Sequence, residues 1–214
     1  PSGEHVKPSR RRRGLLSAIA VLPLVAVAWL GVAPAAADPD PAPADAAPAA
    51  AGRPATSYSA DPLPTAQING VVWDQLVVGD VVYATGQFTQ ARPAGAAEGQ
   101  QETPRSNILA YTLSTGELIE GFAPVLNGPG RSLALSDDGS TLYVAGGFNQ
   151  VDGKWHNNLA AFDLNSGGAL IDSFKPVFNT TVSTIDVVGS TVYAGGYFKS
   201  VNGQPRLGLA AVDA

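Results

Sequence analysis

The sequence contains no cysteine and no methionine, and only two histidines. Without Cys there is no disulfide framework, no thiolate nucleophile, no Cys-ligated metal and no lipidated N-terminal Cys. Met is absent even from position 1, which fits either loss of an initiator before Pro1 or a chain that is a fragment. Basic residues are scarce: 13 Lys and Arg stand against 18 Asp and Glu, a net charge of −5. Five of the basic residues lie in the first 13 positions with one acid, Glu4. Removal of residues 1–37 therefore leaves 8 basic and 17 acidic residues, a net charge of −9. Such a surface is poorly matched to a phosphate backbone, so nucleic acid is not an expected partner. The acidity serves solubility.

The N-terminus has the layout of an export signal. Lys7 and Arg10 to Arg13 form a basic region, Gly14 to Val32 an apolar one, and Ala35 to Ala37 a small-residue exit that predicts cleavage before Asp38. Arg11-Arg12-Arg13-Gly14-Leu15 also fits a twin-arginine pattern. An uncleaved membrane anchor is the alternative, since the apolar run approaches spanning length. Pro23, Pro34 and the small-residue exit favour cleavage. The expected location is secreted or cell envelope. Residues 38–66 are dominated by Asp, Pro, Ala and Ser and hold almost nothing that could build a core. They read as a disordered linker of the semi-stiff, Pro-rich kind.

From residue 67 onward a phrase recurs three times: Tyr83-Ala-Thr-Gly86-Gln-Phe88, Tyr143-Val-Ala-Gly146-Gly-Phe148 and Tyr193-Ala-Gly-Gly196-Tyr-Phe198. Each Tyr follows a Gly by four positions: Gly79, Gly139 and Gly189. Self-similarity at this period marks a repeat architecture. The second copy gives the unit: strands at Leu133–Leu135, Thr141–Gly146, Asn158–Phe162 and Ala169–Phe174, with turns at Asp138-Gly139, Asp152-Gly153 and Ser166-Gly167-Gly168. The prediction is an all-β fold of four-stranded antiparallel meanders, with repeats at about 68–130, 131–181 and 182–214. The first repeat carries nine extra residues within Thr89–Arg105, read as surface variation in a loop.

Tyr143 and Phe148 are five apart and so point to opposite faces of their strand. Apolar residues on both faces suit a β-propeller blade packed between neighbours. A mid-strand Gly marks close backbone approach, here expected near a central channel. A β-sandwich has similar short strands but does not require a whole phrase to recur. Under three repeats is an incomplete ring, so the chain is expected to be part of a longer protein.

The run Leu142-Tyr-Val-Ala-Gly-Gly-Phe148, Val151-Asp-Gly153, Asn158-Leu-Ala-Ala-Phe-Asp163 and Phe174-Lys-Pro176 resembles the delta-sixty type β-propeller repeat of secreted bacterial proteins. The third copy matches with Gly195-Gly-Tyr-Phe198, Val201-Asn-Gly203, Arg206 and Leu209-Ala-Ala211. The first matches with Gly86-Gln-Phe88, Arg105, Asn107-Ile-Leu-Ala110 and Phe122-Ala-Pro124, but lacks the second Gly and the Asn-Gly turn. The resemblance implies a propeller fold in a surface or secreted protein with appended modules. It implies no catalytic residues.

Chemistry is thinly represented. A Ser-His-Asp triad would have to use His156, which reads as an exposed loop residue, and no Gly-x-Ser-x-Gly elbow is present. Asp137-Asp138-Gly139 lacks the ligand spacing of a calcium loop and reads as a hairpin turn. Ser136 to Thr141 only loosely matches a sialidase Asp-box, without the residue between Asp and Gly. Glu117 and Glu120 read as solvated. The sequence therefore predicts no catalytic residue, no cofactor and no metal. One candidate ligand-contact rim remains: Trp155, His156 and Arg206, which occupy the same loop in successive repeats and belong to types enriched at binding hot spots. The expected function is a non-enzymatic, exported binding or scaffold module with a protein or glycan ligand. The alternative is a carbohydrate-active propeller enzyme whose catalytic residues lie in other blades or another domain.

Overall fold

Runs of β-branched and aromatic residues between left-handed turns dictate strands, and the computed structural model, which describes residues 61–214, contains three larger antiparallel sheets in succession and three small accessory ones. The export signal and residues 38–60 lie outside the described residues. The first sheet pairs Val71–Val78, Val81–Gln87 and Ile108–Thr112. The second pairs Gly130–Leu135, Thr141–Gly146, Leu159–Asp163 and Ala169–Leu170. The third pairs Val182–Val188, Thr191–Gly196 and Leu209–Asp213. Within each of these sheets the strands are antiparallel neighbours in chain order, with short accessory strands intervening between the second and the third.

Only the second sheet has four paired strands, and its last strand is shorter than expected. Asp172 and Ser173 lie in a turn, closed by the Phe174 N–H donating to the Ile171 carbonyl at 3.1 Å. In the first repeat the equivalent segment makes a single antiparallel bridge, Tyr111 to Leu118. After the second strand each repeat also folds a small accessory ladder. Gln150–Val151 pairs with Lys154–Trp155, and Ser200–Val201 with Gln204–Pro205. Their turns hold two consecutive residues at positive φ, Asp152 (50°) with Gly153 (76°) and Asn202 (48°) with Gly203 (75°). That is the tight hairpin geometry Asp-Gly and Asn-Gly favour.

The recurring glycine has a local cause. Each first strand carries a bulge: the register slips between Val72 and Asp74, between Gly130 and Ser132, and between Val182 and Thr184. Gly86, Gly146 and Gly196 pair with the residue just before the slip. A Cβ on Gly146 would run into the Pro129 carbonyl oxygen and lie 2.8 Å from the Gly130 Cα; one on Gly86 would meet the Val71 carbonyl oxygen. The close approach is thus to the bulged strand of the same sheet.

The second sheet is apolar on both faces. On one side Leu142, Val144, Phe148 and Phe162 pack with Ile108, Ala110 and Tyr83 of the first sheet. On the other, Tyr143, Ala145, Leu159 and Ala161 pack with Val182, Ile185, Val192 and Phe198 of the third. The repeated Tyr meets the Phe of its own Phe-x-Pro segment edge-on: Tyr83 with Phe122 at 5.0 Å, Tyr143 with Phe174 at 5.3 Å. The main contacts between neighbouring sheets involve their first strands. There Asp74 Oδ2 accepts from the Leu133 N–H at 2.8 Å, and Ser132 Oγ from the Ile185 N–H at 3.2 Å.

Substituting Gly146→Ala is expected to destabilise by about 2–3 kcal/mol, because rigid backbone must move. Gly139→Ala, in open space at φ 74°, is expected to cost only about 1 kcal/mol of left-handed strain. Urea unfolding of the two variants gives the comparison.

Candidate functional site

The rim residues are best understood through their equivalents. Arg105, His156 and Arg206 stand at one position of the three repeats. Their backbone N–H groups donate to the carbonyls of Thr89, Asn149 and Lys199 at 3.0, 3.1 and 3.0 Å. Two residues later Asn107, Asn158 and Gly208 adopt φ of 68°, 69° and 72°, a conformation open to Asn and Gly. The turn lets the Asn side chains reach the segment that leads into the next sheet: Asn107 Nδ2 donates to the Leu126 carbonyl at 2.9 Å, and Asn158 Nδ2 to the Phe178 carbonyl at 3.0 Å.

Trp155 is 61% exposed, on the accessory hairpin of the second repeat. Arg206 is also exposed and lines a cleft of about 330 Å³ with Asn202, Gln204 and Asp213. His156, expected in an exposed loop, is instead fully buried. Its Nε2 lies 3.3 Å from Asp172 Oδ1, held by the turn that follows the fourth strand. Among the described residues no hydrogen bond joins the three rim residues to one another, and none joins His156 to a Ser or Thr hydroxyl.

The same lock exists one repeat earlier with Arg in place of His. Buried Arg105 donates through Nη2 to Glu120 Oε2 at 2.9 Å and through Nη1 to the Pro104 carbonyl at 2.8 Å. Glu120, expected to be merely solvated, is the counter-ion of a buried guanidinium. Glu120 and Asp172 each stand two residues before the Phe of Phe-x-Pro. Asp172 also takes Lys175 Nζ at 2.9 Å and Lys154 Nζ at 3.7 Å. The Lys175 hydrogen bond, with His156 and Lys154 adding to it, holds its carboxyl below the ordinary range. Arg206 repeats the backbone half of the motif, donating through Nη1 to the Pro205 carbonyl at 2.8 Å.

Three features escaped the sequence reading. The first is a recurring Asn clamp three residues before the bulge. Asn69, Asn127 and Asn179 each accept, through Oδ1, two consecutive N–H groups of the loop after the repeated Phe: Thr89 and Gln90, Asn149 and Gln150, Lys199 and Ser200, at 2.8–3.1 Å. The second is a pair of equivalent clefts beside these clamps. One, of about 580 Å³, is lined by Asn69, Thr89, Asn107, Asn127 and Pro129. The other, of about 520 Å³, is lined by Asn127, Asn149, Asn158, Asn179 and Thr181. The third is a stacked pair formed by two bulge residues: Arg131 Cζ sits 4.7 Å from the centre of the Trp73 ring.

Asp137 and Asp138 serve the hairpin turn. Asp138 Oδ1 accepts from the Ser136 hydroxyl at 2.6 Å, and from the Ser140 N–H at 2.9 Å and its hydroxyl at 2.7 Å. Asp137 Oδ2 accepts from the Gly189 N–H at 2.9 Å, tying this turn to the corresponding one in the third sheet. Among the described residues no group of three or more His, Asp or Glu is placed to hold a metal. Comparison of the sequence with known protein-family models returns no match, and comparison with curated proteins returns none.

Two outcomes follow from these contacts. The Ser136 and Ser140 hydrogen bonds lower the Asp138 pKa from 3.8 to about 2. The stability they confer is therefore fully present above pH 3.8 and lost as pH falls through about 2. A carboxyl-carbon NMR titration is expected to show this midpoint, rising toward 3.8 in the Ser136→Ala, Ser140→Ala variant. Glu120→Gln leaves Arg105 buried without its counter-charge and is expected to cost about 1–2 kcal/mol, discounted for the exposure of Glu120. Arg206→Gln is expected to stay within about 0.5 kcal/mol. Thermal unfolding distinguishes the two.

Proposed function

We propose that the chain is an exported, non-enzymatic binding or scaffold module built from β-propeller-type blades, of the delta-sixty kind that its repeats resemble, and that it works outside the cell or at its surface as part of a larger array. The observation that carries this reading is the chemistry of the third sheet's outer face. Tyr193 is 48% exposed and Leu209 71%, whereas their equivalents Tyr143 and Leu159, covered by the third sheet, are 4% and 0% exposed. Residue for residue, this is the face that the second sheet buries. Burying one Leu is worth about 1.5–3 kcal/mol, so the face is built for a further sheet of the same repeat. The polar groups at the junctions support a structural role as well. Asp74, Ser132, Asn107 and Asn158 are all engaged in holding sheet to sheet.

Appending a second copy of residues 165–214 after Ala214 continues the repeat in register, because Asp213 and Ala214 correspond to Asp163 and Leu164. The added copy supplies the Phe that the Tyr193 ring needs. The extended chain is expected to melt several degrees higher and to shield Tyr193 from solvent in NMR relaxation measurements. Leu209→Asp is expected to cost at least about 2 kcal/mol there and within about 0.5 kcal/mol in the 214-residue chain. An appended segment that stays unfolded, with Tyr193 still exposed, contradicts the blade reading. Export is checked separately: expressed in a bacterial host, the chain is expected outside the cytoplasm with Asp38 as its first residue.

A further inference from the structure

We propose that Trp73 and Arg131 form a binding site for a carboxylate-bearing saccharide at the junction of the first and second sheets. The site is separate from the Trp155–Arg206 rim and goes beyond the scaffold reading.

Both side chains owe their position to the bulges. The extra residue of a bulge is unpaired and re-aimed relative to its strand. Trp73 and Arg131 are those residues in adjacent first strands. Asp74 and Leu133, the residues just past the two bulges, are tied by a 2.8 Å hydrogen bond, so the junction is fixed from beneath. Trp73 is 41% exposed and Arg131 is exposed.

The charge on Arg131 is not spent in an ion pair among the described residues. Acidic residues outnumber basic ones in this protein, yet none of the ion pairs among the described residues uses Arg131. The nearest carboxylate in sequence to the indole, Asp74, is already committed to the N–H groups of Leu133 and Gln75, both at 2.8 Å. Instead the guanidinium lies over the indole, 4.7 Å from its centre. Stacking holds a guanidinium flat while leaving its N–H edge free. That edge matches a carboxylate, which accepts two parallel N–H bonds.

The surroundings suit a sugar rather than a peptide. Two residues before the stacked pair, Val71 and Pro129 line the cleft of about 580 Å³. That volume lies within the usual range of small-ligand sites. Its walls carry the polar side chains of Asn69, Gln87, Thr89 and Asn127. The Gln87 side chain and the amide protons that the Asn69 and Asn127 clamps leave over can exchange hydrogen bonds with ring hydroxyls, while the exposed indole, two residues along the strand from the cleft, offers an apolar surface to the C–H face of a pyranose. The second junction provides an internal comparison. It has the equivalent cleft, of about 520 Å³, but its bulge pair is Arg131 and Ser183, with no aromatic platform. The complete combination therefore belongs to the first junction.

The test is a titration of the full chain with trigalacturonate, followed by tryptophan fluorescence and calorimetry. The methyl-esterified trisaccharide, of the same shape but without charge, runs in parallel. Binding of the acid form is expected, weakened at least tenfold by esterification, by Arg131→Gln and by Trp73→Ala. Lys199→Gln, which removes a cation in the third repeat, is expected to bind as the parent does. Thermal unfolding of each variant separates loss of the site from loss of the fold. Absence of binding at ~10 mM, equal binding of the ester, or indifference to Arg131→Gln overturns the proposal. Equally tight binding of a short polyglutamate overturns the assignment to a saccharide. A negative result here leaves the extension experiment unaffected, and failure of the extension leaves this junction, formed by two sheets already present, unaffected.

Discussion

Two-sided burial of a thin sheet is the constraint on which the rest depends. A β-sheet whose two faces are both apolar cannot be stable beside water, so it must be flanked. The second sheet satisfies this with Tyr143 and Leu159 on one side and Leu142 and Phe162 on the other. Everything that recurs serves the flanking. The edge-on Tyr–Phe contacts fill the space toward the fourth segment of the first two repeats. The bulges draw first strands together so that Asp74 and Ser132 can reach the next sheet's backbone. Left-handed Asn107 and Asn158 carry the chain between strands while their amides bond across the junction.

The electrostatics are organised in the same way. In the first two repeats one position holds a buried nitrogen side chain, Arg105 or His156, and one acid two residues before the Phe of Phe-x-Pro meets it. The pairing ties the entry of the third strand to the exit of the fourth. A carboxylate with one flank in water and one against a buried donor costs less to desolvate than a fully interior pair. This explains how Arg and His can share the position: the requirement is a donor directed at that acid.

What could be read in advance was what is local. The Tyr–Gly–Phe phrase, the Asp-Gly and Asn-Gly hairpins and the opposite facing of Tyr143 and Phe148 each depend on residues a few positions apart, and each is found in the structure. The bulges were not legible, because a slip in register is a property of two strands rather than of either sequence. His156 was misread for a similar reason. Its loop neighbours Lys154, Trp155 and Asn157 do not mark it as buried, and nothing within the loop announces that Asp172, 16 residues on, will meet it. The Asn clamps were hidden for the same reason: the N–H groups that Asn69, Asn127 and Asn179 accept from begin 20 to 22 residues further on. Trp73 and Arg131 carried no signal, since only the packing of two sheets brings them together.

Among the described residues the first and third sheets each pack against one other sheet, and the second against two. In a linear array stability is close to a sum of intrinsic and nearest-neighbour terms, so within these residues the outer sheets are held by one such term and the second by two. The Asp137–Gly189 and Asn158–Phe178 bonds are among the ties of the third. Slow amide exchange concentrates in the middle sheet, the most persistent cooperative unit of the fold.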